Sequence, residues 1–157
     1  MIPYADTNFF TRAYLKLPES GEADRLLAMA AQGKANPLPV TWLHRIETVN
    51  AFQLHVYFAR SPGQPYVTPE QAALALANYR DDLQRATFLN PVAIATSELE
   101  RQFEDLSWRH TARHGFRTYD LLHVASALAL KCDSFWSFDP KASKLAALEG
   151  LKIQVKK

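Results

Sequence analysis

The sequence lacks the features that mark secreted, membrane-spanning and disulfide-rich proteins. It contains one cysteine in 157 residues, Cys132, so it forms no internal disulfide, and this thiol beside an apolar helix end is expected in the core. No apolar run approaches the length of a membrane span. The N-terminus also lacks the basic patch, apolar stretch and cleavage site of a secretory signal. These absences predict a cytoplasmic protein without a membrane association.

The chain also lacks a strong excess of charge of either sign. Its formal net charge is +2, too small for the overall field to indicate nucleic-acid binding. Hydrophobic residues make up 48% and charged residues 22%, which is typical of a soluble globular protein and argues against disorder. Between Ser107 and Tyr119, however, three arginines and two histidines occur without an acidic residue. This stretch is either a solvated helix end that offsets the helix dipole or a surface that contacts phosphate.

Helical and strand patterns alternate along the chain. Helical periodicity covers residues 7–17, 20–32, 42–59, 69–88, 97–114 and 119–131 and a short stretch after Pro140. Short apolar strands are predicted at residues 2–6, 37–41, 90–95, 134–138 and 151–155. The length fits one domain spanning residues 1–157. Short apolar strands separated by helices favour an α/β fold, in which helices cover both faces of a parallel sheet.

Two of the predicted strands end in an aspartate. Asp6 ends the first strand, and Asp139 follows the strand "SFWSF". Ligands of parallel sheets bind beyond the carboxyl ends of the strands, so both side chains are expected at the functional edge. The alternative for each is helix capping, a role that aspartate performs well and that Pro140 favours for Asp139.

Glu47 and Asp120 lie on predicted helices that have strongly apolar faces. On a helical wheel, Glu47 falls within an apolar arc that is expected to face the core and that consists of Leu43, Ile46, Leu54, Tyr57 and Phe58. The opposite side, expected to face solvent, carries Arg45, Thr48 and His55. Asp120 lies in the first turn of a helix that is apolar on nearly every face, where the helix dipole alone favours an acid. No lysine or arginine occupies the helical faces of either acid, so a buried carboxylate there needs another cation.

A divalent cation would supply that charge. Clustered carboxylates repel one another and take up protons unless such a cation holds them. Oxygen ligands suit Mg²⁺ or Mn²⁺, whereas the absence of a cysteine cluster and of paired histidines argues against zinc. His123, three residues after Asp120, is expected to support the site through a hydrogen bond rather than to bind the metal.

Four motifs, in order along the chain, resemble those of the PIN-domain ribonucleases, in particular the VapC-like toxins of bacterial and archaeal toxin–antitoxin pairs. They are "YADTNFF" with Asp6 and Asn8, the helix with Glu47, "RTYDLLHVASAL" with Asp120, and "FWSFDPKASKLA" with Ser137 and Asp139, followed by "EGLKI". The resemblance implies a three-layer α/β/α sandwich with a central, mainly parallel sheet. It also implies an endoribonuclease that uses Mg²⁺ or Mn²⁺ held by the four acids, and a homodimer silenced by a small antitoxin.

The resemblance suggests a role for each motif residue. Asp6, Glu47, Asp120 and Asp139 would hold metal that activates a water for in-line attack on an RNA phosphodiester bond. Asn8 and Ser137 are expected to orient ligands or waters. The candidates for phosphate contacts are Arg12, Arg113 and Arg117. The expected substrate is single-stranded or loop RNA, whose bases are open to aromatic stacking.

Two other interpretations stay open. A non-catalytic PIN-like module would bind RNA or protein without cutting it. A phosphoryl-transfer domain would also place an aspartate at a strand end, but the phosphatases of that kind need a second aspartate where this chain has Asn8. Response-regulator receivers need an adjacent acidic pair before their first helix, and no such pair precedes the helix predicted at 7–17. Trp108 could stack on a base, but packing in the core is the expected role.

Overall fold

The computed structural model describes residues 1–155, in which strands and helices alternate as predicted. The strands are β1 (Pro3–Ala5), β2 (Leu38–Val40), β3 (Leu89–Pro91), β4 (Ser134–Trp136) and β5 (Lys152–Ile153). The helices are α1 (Thr7–Tyr14), α2 (Ser20–Ala31), α3 (Trp42–Phe58), α4 (Pro69–Arg85), α5 (Thr96–Leu106), α6 (Ala112–His114), α7 (Thr118–Ala129) and α8 (Pro140–Leu148). The strands are shorter than predicted, and a π-helical segment, Ser107–Thr111, interrupts the helix predicted at 97–114.

The described strands pair in parallel, in two groups. One group has the order β1-β4-β5, and the other consists of β2 and β3. β1 also lies against β2. Pro3 and Pro39 have no backbone N–H to donate, so a continuous ladder is interrupted there. Instead, His44 in the first turn of α3, the helix that follows β2, donates its Nε2–H to the carbonyl oxygen of Ala5 in β1 at 2.8 Å.

Alternate strand residues divide the core into two layers. Ala5 and Trp136 pack into the layer formed with α1 to α4, whereas Tyr4 and Phe135 pack into the layer formed with α5, α7 and α8. Helices therefore cover both faces of the parallel strands, which confirms the α/β/α sandwich. Cys132 lies in the second layer as predicted, and burial raises the pKa of its thiol to about 12.

The orientation of α3 contradicts the sequence prediction. Of the arc predicted to face the core, only Leu43 is buried, and Ile46, Leu54, Tyr57 and Phe58 are exposed. Thr48, which was expected at the surface, is fully buried and lies on the same side as His44 and Phe52. This more polar side of the helix faces the strands, where His44 bonds to Ala5. Glu47 lies half-buried at the border between the two faces.

Trp108 is 82% exposed on the π-helical segment, so its predicted place in the core was wrong. The tryptophan lies between the exposed Arg109 and the half-buried Ser107, and it belongs to neither of the two core layers described within residues 1–155. Across residues 1–155, no helix combines the length and the apolar character that crossing a membrane requires.

Candidate active site

One pocket beside the carboxyl ends of β1 and β4 brings together the four acids singled out in the sequence. Its volume is about 230 Å³, and its lining includes Asp6, Glu47, Asp120 and Asp139 together with Asn8 and His123. The acids come from the residue after β1, the second turn of α3, the first turn of α7 and the residue before α8. Segments more than a hundred residues apart in the sequence thus present carboxylates to one cavity.

Asp6 combines helix capping with a link, through Ser137, to a second acid. Its Oδ1 accepts a hydrogen bond from the backbone N–H of Phe9 at 2.9 Å and so caps α1. Its Oδ2 accepts from the Ser137 hydroxyl at 2.5 Å, and the Ser137 oxygen accepts from the backbone N–H of Asp139 at 2.9 Å. Burial raises the pKa of Asp6 from 3.8 to about 6, against the opposing effects of His123 and of these hydrogen bonds.

Hydrogen bonds connect Glu47 through His123 to Tyr4, which lies in the core. Its Oε2 accepts from the Thr7 hydroxyl at 2.8 Å and from His123 Nε2 at 2.6 Å. On the other side of the imidazole, the Tyr4 hydroxyl forms a hydrogen bond with His123 Nδ1 at 3.0 Å. Because the Glu47 carboxylate can only accept, His123 Nε2 is the donor in the hydrogen bond between them. His123 therefore supports an acid, although that acid is Glu47 rather than the neighbouring Asp120.

Arg117 lies at the rim of the pocket, between the other two acids. Its backbone N–H donates to Asp120 Oδ2 at 3.0 Å, so the Asp120 carboxylate satisfies a free N–H group at the start of its own helix. Its guanidinium lies 3.5 Å from both Asp120 Oδ2 and Asp139 Oδ2. Asp139 Oδ1 accepts from the backbone N–H of Lys141 at 2.7 Å, so this acid also caps its helix. Because the Arg117 side chain is 69% exposed, these long ion pairs hold it weakly.

The other two arginines singled out in the sequence do not line the pocket. Arg12 forms an ion pair with Glu19 at 3.2 Å, and its guanidinium lies over the Phe138 ring. Arg113 is exposed on α6 and lines none of the described cavities near the acids.

The donor atoms suit a hard divalent cation that keeps part of its water shell. In the described part of the chain, no three acidic or imidazole groups form a ready-made coordination sphere. Within residues 1–155, however, no hydrogen-bond donor contacts Glu47 Oε1 or Asp120 Oδ1. The buried Oδ1 of Asn8 also lacks a hydrogen-bond partner within this range. Oxygen atoms of this kind fit Mg²⁺, which binds through one or two carboxylates and retains several waters.

Sequence reasoning missed three residues that shape this site. Thr7 bonds directly to Glu47, and Tyr4 bonds to the imidazole of His123 that contacts Glu47. His44 connects the start of α3 to the carbonyl oxygen of Ala5, the residue before Asp6. The His44 ring is fully buried, and this burial lowers its pKa to about 3. The ring is therefore uncharged at neutral pH, and its role is to position α3 through the hydrogen bond to Ala5. The sequence offered only one signal for these roles, namely the polar side chains of Tyr4 and Thr7 next to Asp6. Their partners, His123 and Glu47, lie far away in the sequence.

Comparisons with known proteins agree with the fold. A crystal structure of VapC20 from Mycobacterium tuberculosis, described as a sarcin–ricin loop cleaving toxin, matches with a TM-score of 0.59 and 18% identity over 90% of this chain and 93% of that chain. A chain of VapBC2 from Rickettsia felis, solved bound to a promoter DNA fragment, matches with a TM-score of 0.59 and 16% identity over 98% of each chain. No protein-family model and no curated protein sequence matches this chain. The chain thus shares its fold with the VapC20 and VapBC2 structures.

Proposed function

We propose that this protein is a Mg²⁺- or Mn²⁺-dependent endoribonuclease of the VapC-like PIN type and the toxin of a toxin–antitoxin pair. The observation that carries the proposal is the presence of Asp6, Glu47, Asp120 and Asp139 in one pocket at the strand ends. The fold shared with VapC20, a toxin described as cleaving the sarcin–ricin loop, supports RNA as the substrate.

The four acids would hold the metal, and the residues around them keep the carboxylates in place. A bound ion of this kind lowers the pKa of a water and offsets negative charge on a scissile phosphate. Ser137 holds Asp6 and the backbone of Asp139, while Thr7 and His123 restrict the rotation of Glu47. Three helices, α1, α7 and α8, begin at this pocket, so the positive ends of their dipoles favour both carboxylates and phosphate.

Arg117 is the arginine that we place against the RNA backbone. It lines the pocket, its side chain is mostly exposed, and its ion pairs with Asp120 and Asp139 are long. A phosphate at the acids would lie within reach of this guanidinium. Such a contact contributes affinity and salt dependence rather than sequence preference.

The direct test is cleavage of mixed single-stranded and hairpin RNA by the purified protein. We expect cleavage with Mg²⁺ or Mn²⁺, none after chelation with EDTA, and recovery when the ion is restored. Cleavage at internal phosphodiester bonds of the RNA identifies an endonuclease. RNA binding without metal-dependent cleavage would contradict the proposal and favour a non-catalytic module.

The exposed apolar face of α3 supports a protein partner, which we propose to be the antitoxin. Six large apolar side chains of this helix are at least 37% exposed, namely Trp42, Ile46, Val49, Leu54, Tyr57 and Phe58. Contiguous apolar surface of this kind marks an interaction site. The expected homodimer competes with the antitoxin as the occupant of this face.

Replacing Tyr57 with aspartate is expected to weaken antitoxin binding about tenfold or more, because it places a charge in the apolar contact. The measurement is co-purification and titration with the protein encoded by the adjacent short gene. Leu74→Asp, which changes an exposed leucine of α4, is the matched control and is expected to bind normally. Equal binding by the two variants would contradict the assignment. A dimer of the protein alone that only Tyr57→Asp dissociates would assign this face to a second copy instead.

A further inference from the structure

A second cleft opens directly beside the acid pocket. Its volume is about 400 Å³, and Thr7, Glu47 and Tyr119 line both cavities. The rest of its wall belongs to α3 and consists of Ile46, Asn50, Ala51 and Leu54. The cleft is thus continuous with the carboxylates that we propose to hold the scissile phosphate.

Tyr119 lies at the junction of the two cavities. It immediately precedes Asp120 in the first turn of α7, and its side chain is 55% exposed. Within residues 1–155 its ring makes no aromatic contact and its hydroxyl makes no hydrogen bond. The side chain therefore leaves an uncovered aromatic surface next to one of the four acids.

The chemistry of the cleft suits a flat, uncharged group that carries polar atoms on its edge. Ile46 and Leu54 supply apolar wall, and the exposed amide of Asn50 can both donate and accept hydrogen bonds. Among its described lining residues, Glu47 is the one charged side chain, so no cation is present to bind a backbone phosphate. Aromatic stacking combined with polar contacts to an edge is how proteins recognise unpaired nucleobases.

We propose that this cleft is a nucleobase subsite, in which Tyr119 stacks on the base next to the scissile phosphate and Asn50 contacts the edge of that base. The inference rests on the proposed function, because a phosphate at the acids would bring the neighbouring base to the cleft. A single-stranded RNA fits best, since a base within a duplex is already stacked and paired. A side chain of a protein partner is the competing occupant, and the test below separates the two.

The test measures RNA binding and RNA cleavage separately. Binding is measured by fluorescence anisotropy of a labelled single-stranded RNA hexamer of random sequence, with Mg²⁺, in an Asp6→Asn background that leaves the probe intact. Tyr119→Ala is expected to weaken binding roughly tenfold, as removal of a stacked aromatic ring typically does. Tyr119→Phe keeps the ring and is expected to retain the affinity. Tyr66→Ala, at a 78% exposed tyrosine outside both cavities, is the control.

The cleavage arm uses the chain with all four acids present. Tyr119→Ala is expected to raise KM, and Asn50→Ala is expected to change the preferred bases at the cut site. If the unmodified protein cleaves RNA and Tyr119→Ala binds and cleaves equally well, the subsite is refuted while the proposed function stands. If the unmodified protein does not cleave RNA, the proposed function fails, and the anisotropy of Tyr119→Ala still decides the subsite. Loss of antitoxin binding by Tyr119→Ala with unchanged RNA affinity would assign the cleft to the protein partner.

Discussion

Replacing Asp6 or Asp120 with asparagine is expected to abolish metal-dependent RNA cleavage. An amide has no negative charge with which to hold a divalent ion, and each substitution removes one of the four acids of the pocket. Loss of a residue that merely orients a metal ligand typically costs 10- to 100-fold, so loss of a ligand is expected to cost about 100-fold or more. The measurement is the rate of RNA cleavage in Mg²⁺. Full activity in both variants would refute the site.

Both substitutions are expected to leave the fold intact. Asparagine caps a helix about as well as aspartate, and Asp6 caps α1. Because burial raises the pKa of Asp6 to about 6, the folded protein holds this proton more firmly than the unfolded chain does. The stabilisation from this proton is present at low pH and is lost as the pH rises from about 4 through 6. Asparagine stays neutral, so at pH 8 without metal Asp6→Asn is expected to unfold at a temperature equal to or above that of the unmodified protein.

A variant that removes one negative charge from the surface is the control for the effect of charge alone on cleavage. Asp81 lies on α4, where it pairs with Arg85, and it is 51% exposed. Asp81→Asn removes the same charge far from the strand ends and is expected to cleave RNA at the normal rate. Equal loss of activity in Asp81→Asn and Asp6→Asn would mean that overall charge, rather than the pocket, controls cleavage.

Phe135→Ala is expected to cause the largest loss of stability among the substitutions considered. Phe135 is fully buried in the middle of β4, and its ring stacks on Tyr4 with centroids 5.7 Å apart. Truncating a buried phenylalanine leaves a cavity and typically lowers the free energy of unfolding by about 3–5 kcal/mol. Urea denaturation followed by circular dichroism measures the change.

Phe58→Ala is the matched control, because it removes the same ring from the exposed face of α3. Phe58 is 42% exposed, so its truncation is expected to change the free energy of unfolding by about 0.5 kcal/mol or less. Similar losses in the two variants would contradict the orientation of α3 and the position of the core described above.

The sequence by itself determined those features that depend on local pattern and local chemistry. Short apolar segments separated by helical periodicity were sufficient to predict alternating strands and helices and a parallel α/β arrangement. Asp6 and Asp139 were recognisable because each follows a strand and precedes a helix, and both do cap those helices. Asp120 was recognisable because an acid in the first turn of an apolar helix stands out.

Features that depend on which surfaces meet were decided by the tertiary structure alone. The sequence of α3 has apolar residues on more than one side, and the side that faces the strands is the one on which Phe52 packs into the core and His44 bonds to Ala5, 39 residues away. Glu47 was therefore singled out for a wrong reason, since every residue of the apolar arc around it except Leu43 is exposed.

The residues that contact Glu47 and Tyr119 could not be predicted from the sequence either. Glu47 is held by His123, 76 residues further along the chain, and Tyr119 lines a cleft whose other wall belongs to α3. Periodicity reports only how neighbouring residues are arranged along one element. Contacts between distant elements follow from how whole surfaces pack together, and the sequence pattern of a single helix or strand does not contain that information.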